Sequence, residues 1–199
     1  MNFLVVIVSY LLGSINFAYI TARIKGIDIS SEGSGNPGTS NVLRTLGKGS
    51  AAIVLLGDLL KGAIPIIFFY QDQYFLVYGL AAVVGHIYPV FYKFKGGKGV
   101  ATYLGVYVAT VLMNPYNSDL FNIEIFQIIN IPILVFFYFV VIKITRVSAI
   151  ASLATVLVTV LERNNEISNV AVLVVLFVLI LIKHSENIKR LREGKENKF

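Results

Sequence analysis

Apolar residues fall in long runs separated by short polar stretches along this chain of 199 residues. A helix needs about 20 mainly apolar residues to cross the hydrocarbon core of a membrane. Seven runs reach or approach that length: residues 3–22, 50–69, 75–92, 100–113, 124–142, 147–161 and 168–182. The fourth and sixth hold only about 15 residues each, which fits short, tilted or re-entrant spans. The pattern predicts an all-α polytopic membrane protein with about seven transmembrane helices, two of them short.

Composition supports this interpretation and excludes several kinds of site. The chain is 56% hydrophobic and 14% charged, whereas a soluble domain is closer to a quarter charged. It has no cysteine and only two histidines, His86 and His184, so we expect neither a thiolate site nor a multi-histidine metal site. We interpret the first run as a span rather than a cleavable signal, because no cationic segment precedes it. We expect a single domain over residues 1–199.

The positive charges predict an orientation. If the seven runs alternate across the membrane, one side holds the N-terminus and residues 70–74, 114–123 and 162–167, with Arg163 as its one cation. The other side holds fifteen of the 17 Lys and Arg residues, and Lys61 lies inside the second run. Because cytoplasmic loops carry the Lys and Arg excess, the N-terminus is predicted outside and the C-terminus in the cytoplasm.

The first polar stretch, residues 34–49, reads SGNPGTSNVLRTLGKG. Its glycines allow a loop to expose backbone N–H groups, and its hydroxyl and amide side chains add donors. Arg44 adds a planar fork suited to phosphate or carboxylate. The stretch predicts an anion-binding loop at the membrane surface; a flexible connector with snorkelling cations is the alternative. The candidate binding residues are Gly35, Asn36, Thr39 and Asn41, with Ser34 and Arg44 as further donors to an anion.

The second polar stretch, residues 93–102, reads KFKGGKGVAT, with Gly96, Gly97 and Gly99 around Lys98. A glycine turn that leads into a helix N-terminus is a natural seat for phosphate. It is not a Walker A loop, because Val100 occupies the hydroxyl position. We therefore predict phosphate binding without nucleotide hydrolysis; a tight interhelical turn with interfacial lysines is the alternative.

Two further polar patches lie on the same predicted side. Residues 183–196 read KHSENIKRLREGKE, where the spacing of His184 and Asn187 predicts a shared helix face. A cationic membrane anchor is the alternative for this stretch. Ser148 follows Arg146 at the mouth of the sixth run. We hypothesise that all four patches converge in one pocket.

Ionisable residues also occur inside the spans. Asp58 and Lys61 lie three residues apart in the second run. A lone charge there costs about 2.5–3.5 kcal/mol on insertion scales, and at this spacing the two can neutralise each other. We favour a buried structural pair over a proton or substrate path. His86 precedes Pro89, where the third span ends or bends, and is interpreted as a packed histidine rather than a base.

Three motifs carry a resemblance that covers essentially the whole chain: SGNPGTSNVLR, GHIYPVFYKFKGGKGVAT and HSENIKRLREGKE. With them the chain resembles the bacterial acyl-phosphate:glycerol-3-phosphate acyltransferase family, often called PlsY. The family pattern usually has alanine and threonine at Thr39 and Ser40, and often a basic residue at Ser185. These departures concern only the contributions of those side chains.

The resemblance implies transfer of an acyl group from acyl-phosphate to the 1-hydroxyl of sn-glycerol 3-phosphate, the first step of phospholipid synthesis. The products are 1-acylglycerol 3-phosphate (lysophosphatidate) and inorganic phosphate. It implies no cofactor, no metal, no nucleic acid and no obligatory protein partner, with membrane lipid around the chain. It implies the bacterial inner membrane, with the active site facing the cytoplasm. The active-site residues that it implies are Ser34, Arg44, Lys98, Ser148, His184 and Asn187.

The general base stays open at this point. The His-x-x-x-x-Asp motif of other glycerolipid acyltransferases is absent, since Phe91 and Lys189 stand five residues after the two histidines. A substrate-assisted path, in which a phosphate oxygen takes the hydroxyl proton, fits best. One alternative function is a transporter or flippase for phosphorylated metabolites, but the sequence shows no evident inverted repeat. The other is a membrane scaffold, which would leave the glycine-lysine stretches unexplained.

Overall fold

The computed structural model describes residues 1–113, 125–162 and 167–198, and the regular elements in these ranges are all helical. The helices are α1 (Phe3–Ser14), α2 (Phe17–Ile24), α3 (Thr39–Phe69), α4 (Phe75–Ile87), α5 (Val100–Met113), α6 (Ile125–Thr145), α7 (Ser148–Glu162), α8 (Ile167–Lys183) and α9 (Ser185–Arg192). A 3₁₀ turn at Val90–Tyr92 follows α4. Residues 114–124, with the predicted outer loop 114–123, and Arg163 lie outside the described residues.

Three stretches within the described ranges are long and apolar enough to cross a membrane: Phe3–Ile24, Lys48–Phe69 and Phe75–Tyr92. A fourth is a bent pair, Ala171–Lys183 with Ser185–Arg192, whose axes differ by 51°. Shorter apolar helices cover the remaining predicted runs. The helices therefore coincide with the seven predicted runs, while the number of crossings stays a prediction.

Met1–Thr110 forms one compact unit. In it α1 packs along α4, and α3 contacts α1, α2 and α4. The first span is broken at Ile15, which is extended, and Asn16 restarts the helix as the N-cap of α2. The Asn16 Oδ1 atom accepts hydrogen bonds from the backbone N–H groups of Ala18 and Tyr19 at 3.0 and 3.1 Å, the usual role of an asparagine N-cap.

Close packing of α5 against α3 depends on two glycines. A Cβ atom at Gly62 would collide with the backbone carbonyl of Thr102, and one at Gly105 would collide with that of Leu59. Small residues let helix backbones approach closely in membrane proteins. The start of α5 is therefore held against the middle of α3.

The second compact unit is Val111–Phe199, in which α7 contacts α6 and α8, and α8 contacts α9. Arg146 has a left-handed φ of 57° in the turn between α6 and α7. Thr145 Oγ1 stabilises that turn by accepting a hydrogen bond from the Val147 backbone N–H at 3.2 Å. A single domain over residues 1–199 stays a prediction.

The prediction of a loop from residue 34 to residue 49 is wrong from residue 39 onward. α3 begins at Thr39 and continues through this stretch with one break at Gly47, where φ is 82° and ψ is 177°. The physical reason is local: Gly38 takes the extended N-cap conformation, and the segment after it contains good helix formers such as leucine and arginine. The ion pair of Asp58 and Lys61 is confirmed, with Nζ 2.9 Å from Oδ1.

Candidate active site

The entry to α3 comprises residues 32–42, a loop that folds back over the first helical turn. Asn41 holds it in place from the helix. Its Oδ1 atom accepts a hydrogen bond from the Ser34 backbone N–H at 2.9 Å, and its Nδ2 atom donates to the Glu32 carbonyl at 2.9 Å. Asn41 is only 1% exposed. The predicted binding residue Asn41 therefore fixes the loop that carries Ser34, Gly35 and Asn36.

The α3 entry has the donors of an anion site. The backbone N–H groups of Asn41 and Val42 bond to the Gly38 carbonyl, both at 3.1 Å. The N–H groups at the start of a helix have no helical carbonyl four residues earlier to bond to. The backbone N–H groups of Thr39 and Ser40 therefore have no partner within α3. Thr39 Oγ1 is buried, and it has no hydrogen-bond partner among the residues that the structure describes. Such a helix N-terminus favours an anion.

Arg44 lies on α3 and not in a loop, and its side chain is exposed. Side chains on a helix tilt toward its N-terminus. Residues three and four positions apart share a helix face, so Ser40 and Asn41 are the first-turn neighbours of Arg44. The role of the Arg44 guanidinium at an anion stays a prediction, while its local structure is a helix and not the predicted loop.

The glycine turn, residues 96–99, has the predicted form. Gly99 has a φ of +85°, a left-handed value that favours glycine, and its carbonyl accepts a hydrogen bond from the Tyr103 backbone N–H at 2.8 Å. α5 begins at the next residue, so Lys98 immediately precedes a helix N-terminus and is partly buried. The prediction that a glycine turn leads into a helix is confirmed.

The glycine turn lies against the α3 entry. A Cβ atom at Gly97 would stand 3.0 Å from the carbonyl oxygen of Pro37, a buried residue of the entry loop. Two helix N-termini, those of α3 and α5, are thus preceded by segments that touch each other. In this region the predicted binding residue Gly97 therefore lies against the entry loop that carries Ser34, Gly35 and Asn36.

In the second unit, His184 lies at the bend between α8 and α9 and is 1% exposed. Its Nδ1 atom lies 2.7 Å from the Ile180 carbonyl oxygen. Because a carbonyl can only accept, Nδ1 carries a proton, and a neutral ring then has its lone pair on Nε2. His184 is the N-cap residue of α9, and its carbonyl accepts a hydrogen bond from the Ile188 backbone N–H at 2.9 Å. The face that it shares with Asn187 stays a prediction. The His184 backbone N–H is shared between the Ile180 and Leu181 carbonyls, which tightens the last turn of α8 before the bend.

Asn187 is 4% exposed on the first turn of α9. Its Nδ2 atom donates to Glu196 Oε1 at 2.7 Å, and Arg190 Nε donates to Glu196 Oε2 at 2.8 Å. This role of Glu196 was not predicted, because its position suggested only one charge of a polar C-terminal tail. The signal was Gly194: a glycine after a helix end commonly turns the chain back, and here its φ is +68°.

Ser148 is the first residue of α7 and is partly buried. The six predicted catalytic residues therefore divide evenly: Ser34, Arg44 and Lys98 belong to the first unit, and Ser148, His184 and Asn187 to the second. Their convergence in one pocket stays a prediction. Over the described ranges, no group of three or more His, Cys, Asp or Glu side chains is placed to hold a metal ion.

Comparison with known proteins decides the family. Residues 3–194 match the profile of the glycerol-3-phosphate acyltransferase family. The chain belongs to this family. The acyltransferase is 39% identical over 197 residues to the glycerol-3-phosphate acyltransferase of Geobacter sulfurreducens, with 96% of this chain and 94% of that protein covered. It is 37% identical over 205 residues to the one from Aquifex aeolicus, with 98% and 97% covered.

The fold agrees with a solved relative. A crystal structure of PlsY (YgiH), an integral membrane glycerol 3-phosphate acyltransferase in its glycerol 3-phosphate form, superposes with a TM-score of 0.85 at 35% identity. The match covers 99% of this chain and 94% of that one. The resemblance identified from the three motifs is therefore confirmed, and the chain is a membrane-embedded acyltransferase of phospholipid synthesis.

Proposed function

We propose that this acyltransferase uses acyl-phosphate as donor and the 1-hydroxyl of sn-glycerol 3-phosphate as acceptor, and releases lysophosphatidate and inorganic phosphate. The observation that carries the proposal is the contact between Pro37 and Gly97. It brings two segments, each leading into a helix N-terminus, against one another, and both proposed substrates carry a phosphate. The name of the family and the glycerol 3-phosphate form of the related structure support the acceptor.

In this proposal the first unit seats the phosphates. Thr39, the α3 entry loop and Arg44 hold one phosphate, and Lys98 with the glycine turn holds the other. Backbone N–H groups at a helix N-terminus and a nearby cation are the usual partners of phosphate. The binding residues of the two seats are Ser34, Gly35, Asn36, Thr39 and Asn41 in the α3 entry, and Gly96, Gly97 and Gly99 in the glycine turn.

The second unit supplies Ser148, His184 and Asn187 to position the acceptor. The acceptor hydroxyl oxygen attacks the acyl carbonyl carbon, a new ester bond forms, and the bond from that carbon to the phosphate oxygen breaks. The hydroxyl proton passes to a phosphate oxygen, so inorganic phosphate leaves with it. A second phosphate pKa near 6 makes this oxygen a plausible base at neutral pH. The enzyme orients the reactants and stabilises charge.

We further propose that the chain is one domain that crosses the bacterial inner membrane seven times, with its N-terminus outside and its C-terminus in the cytoplasm. Fifteen of the 17 Lys and Arg residues then lie on the cytoplasmic side, in agreement with the positive-inside rule. Each proposed catalytic residue lies at the same side, so the reaction faces the cytoplasm. No cofactor or protein partner is needed for it.

The experiment compares two lysines of the same stretch in purified protein. Lys98→Ala is expected to lower the rate of lysophosphatidate formation about 10²–10³-fold, the loss typical of one charge-stabilising donor. Lys95→Ala, at an exposed position three residues earlier, is the matched control and should keep nearly the wild-type rate. Equal losses in both variants would count against a specific seat at Lys98.

The proton acceptor is tested with His184→Ala. If a phosphate oxygen is the base, the residual activity of this variant keeps the inflection of the wild-type pH profile. If the inflection disappears while binding of glycerol 3-phosphate is intact, the histidine is the base and the substrate-assisted path is wrong.

A further inference from the structure

Three buried polar side chains of the first unit, one of which contacts the glycine turn, have no role in the proposed reaction. Asp58 and Lys61 lie one turn apart in α3, each 1% exposed, with Lys61 Nζ 2.9 Å from Asp58 Oδ1. His86, near the end of α4, places Nδ1 3.4 Å from the same carboxylate oxygen. We call Asp58, Lys61 and His86 the buried network; all three belong to the first unit.

One end of the buried network is fixed to the break between α1 and α2. Lys61 Nζ donates a hydrogen bond to the Ile15 carbonyl at 2.6 Å. The next residue, Asn16, is completely buried and directs Nδ2 to the Pro37 carbonyl at 3.5 Å. The same break therefore contacts the α3 entry loop on one side and the buried network on the other.

The other end of the buried network supports the glycine turn. The Gly97 backbone N–H donates to the His86 carbonyl at 3.2 Å. A Cβ atom at Gly97 would collide with Nε2 of the His86 ring, and one at Gly96 would collide with the His86 carbonyl. The turn thus rests directly on both the ring and the backbone of His86, and glycine is required at this distance.

We propose that Asp58, Lys61 and His86 are positioning residues that hold the glycine turn, so that Lys98 and the N-terminus of α5 face a substrate phosphate. The inference rests on the proposed function of the glycine turn as a phosphate seat. The Asp58 carboxylate is in polar contact with Nδ1 of the imidazole at 3.4 Å, and Lys61 holds the carboxylate beside the Ile15 carbonyl. The opposite edge of the ring then sets the position of Gly97.

If Asp58 and Lys61 formed only a structural ion pair, their replacement would be expected to leave substrate binding unchanged. Replacing both members of a buried pair by apolar residues of similar size is often neutral or stabilising, because two desolvated charges are removed together. A structural pair can therefore be exchanged without effect on substrate binding. A positioning network cannot, because displacement of a catalytic group by about 1 Å can reduce the rate about 10²-fold.

The test is the double variant Asp58→Leu with Lys61→Met, purified and compared with wild type by thermal unfolding and by steady-state kinetics. It is expected to remain folded, to raise KM for one phosphate substrate and to lower kcat, so that kcat/KM for that substrate falls about 10- to 100-fold. Lys98→Ala is measured in parallel. The substrate whose binding Lys98→Ala weakens is the one that the double variant should also affect. Thr110→Val is the matched control: it removes another buried polar group of the first unit, whose hydroxyl donates to the Val106 carbonyl at 2.8 Å.

A folded double variant with wild-type KM for both substrates would overturn the positioning role. His86→Asn provides a second variant that keeps an amide near Asp58 and removes the ring edge that faces Gly97; it should raise KM for the same substrate. If neither variant folds, the network serves stability and the inference is wrong. Failure of the proposed function would look different, because Lys98→Ala would then leave both KM values and the rate unchanged.

Discussion

Asn41, on the first turn of α3, accepts a 2.9 Å hydrogen bond from the backbone N–H of Ser34, seven residues earlier in the chain. The same side chain donates to the Glu32 carbonyl at 2.9 Å. One amide thus makes two buried contacts that keep the entry loop over the helix N-terminus. A glycine-rich loop without such a contact would lose that position, since glycine has the largest backbone freedom.

Asn41→Ala is therefore expected to lower kcat/KM for a phosphate substrate about 10- to 30-fold. Each net hydrogen bond contributes about 1 kcal/mol, and about 1.4 kcal/mol corresponds to a factor of ten. Steady-state kinetics measures the change. Ser30→Ala, whose exposed hydroxyl donates to the Asp28 carboxylate at 2.7 Å, is the control and should retain wild-type values. Equal kinetics in the two variants would show that the loop does not depend on Asn41.

Because α3 and α5 pack closely at Gly62, Gly62→Ala is expected to destabilise the protein. A Cβ atom there would collide with the Thr102 carbonyl, and overpacking of this kind typically costs about 1–3 kcal/mol. Gly49→Ala, on the same helix, is the matched control. Its Cβ would meet no atom within 4 Å, so it should be neutral or stabilising by up to about 1 kcal/mol. Thermal unfolding in detergent gives both values, and an equal change in the two variants would contradict the packing.

Acid should weaken the junction between α3 and α4 through Asp72. Its carboxylate accepts hydrogen bonds from the Tyr78 hydroxyl at 2.6 Å and the Tyr74 backbone N–H at 2.8 Å, and these bonds, the one from Tyr78 foremost, lower the pKa of Asp72. A carboxyl whose pKa is lower in the folded state stabilises the fold above its unfolded pKa, about 3.9. That contribution is lost as the pH falls through the folded pKa.

Asp72→Asn is accordingly expected to lower Tm at pH 7 by no more than about 2 °C, because solvent screens the charge of a poorly buried carboxylate. The difference should shrink as the pH falls below about 3.9 and through the lower folded pKa of Asp72. In a Tyr78→Phe background the pH-dependent part of the Asp72→Asn effect should shrink. An Asp72→Asn effect that is the same at all pH values would exclude a role for the carboxylate charge.

Orientation can be measured because the chain has no cysteine. Single cysteines at Gln73 and Ser31, both exposed, lie on opposite predicted sides. In intact cells a membrane-impermeant maleimide should label Gln73→Cys and should label Ser31→Cys only after permeabilisation. The reverse labelling would invert the proposed topology.

The sequence was sufficient for the helices and the family, since hydropathy runs and three motifs are local signals. It was insufficient for the start of α3, because Gly38 as a helix cap and Gly47 as a break are indistinguishable from loop glycines by composition. The contact between His86 and Gly97, and the hydrogen bond from Asn187 to Glu196, depend on how helices and turns meet in three dimensions. Residue spacing along the sequence does not predict these tertiary contacts.

The identity of the acyl donor is the most direct test of the proposed reaction. Purified protein is incubated with glycerol 3-phosphate and either palmitoyl-phosphate or palmitoyl-CoA, and both lysophosphatidate and inorganic phosphate are quantified. With palmitoyl-phosphate, the two products are expected in equal amounts, and phosphate release should require glycerol 3-phosphate. With palmitoyl-CoA, no lysophosphatidate above background is expected. Comparable rates with both donors, or phosphate release that is independent of glycerol 3-phosphate, would contradict the proposed reaction.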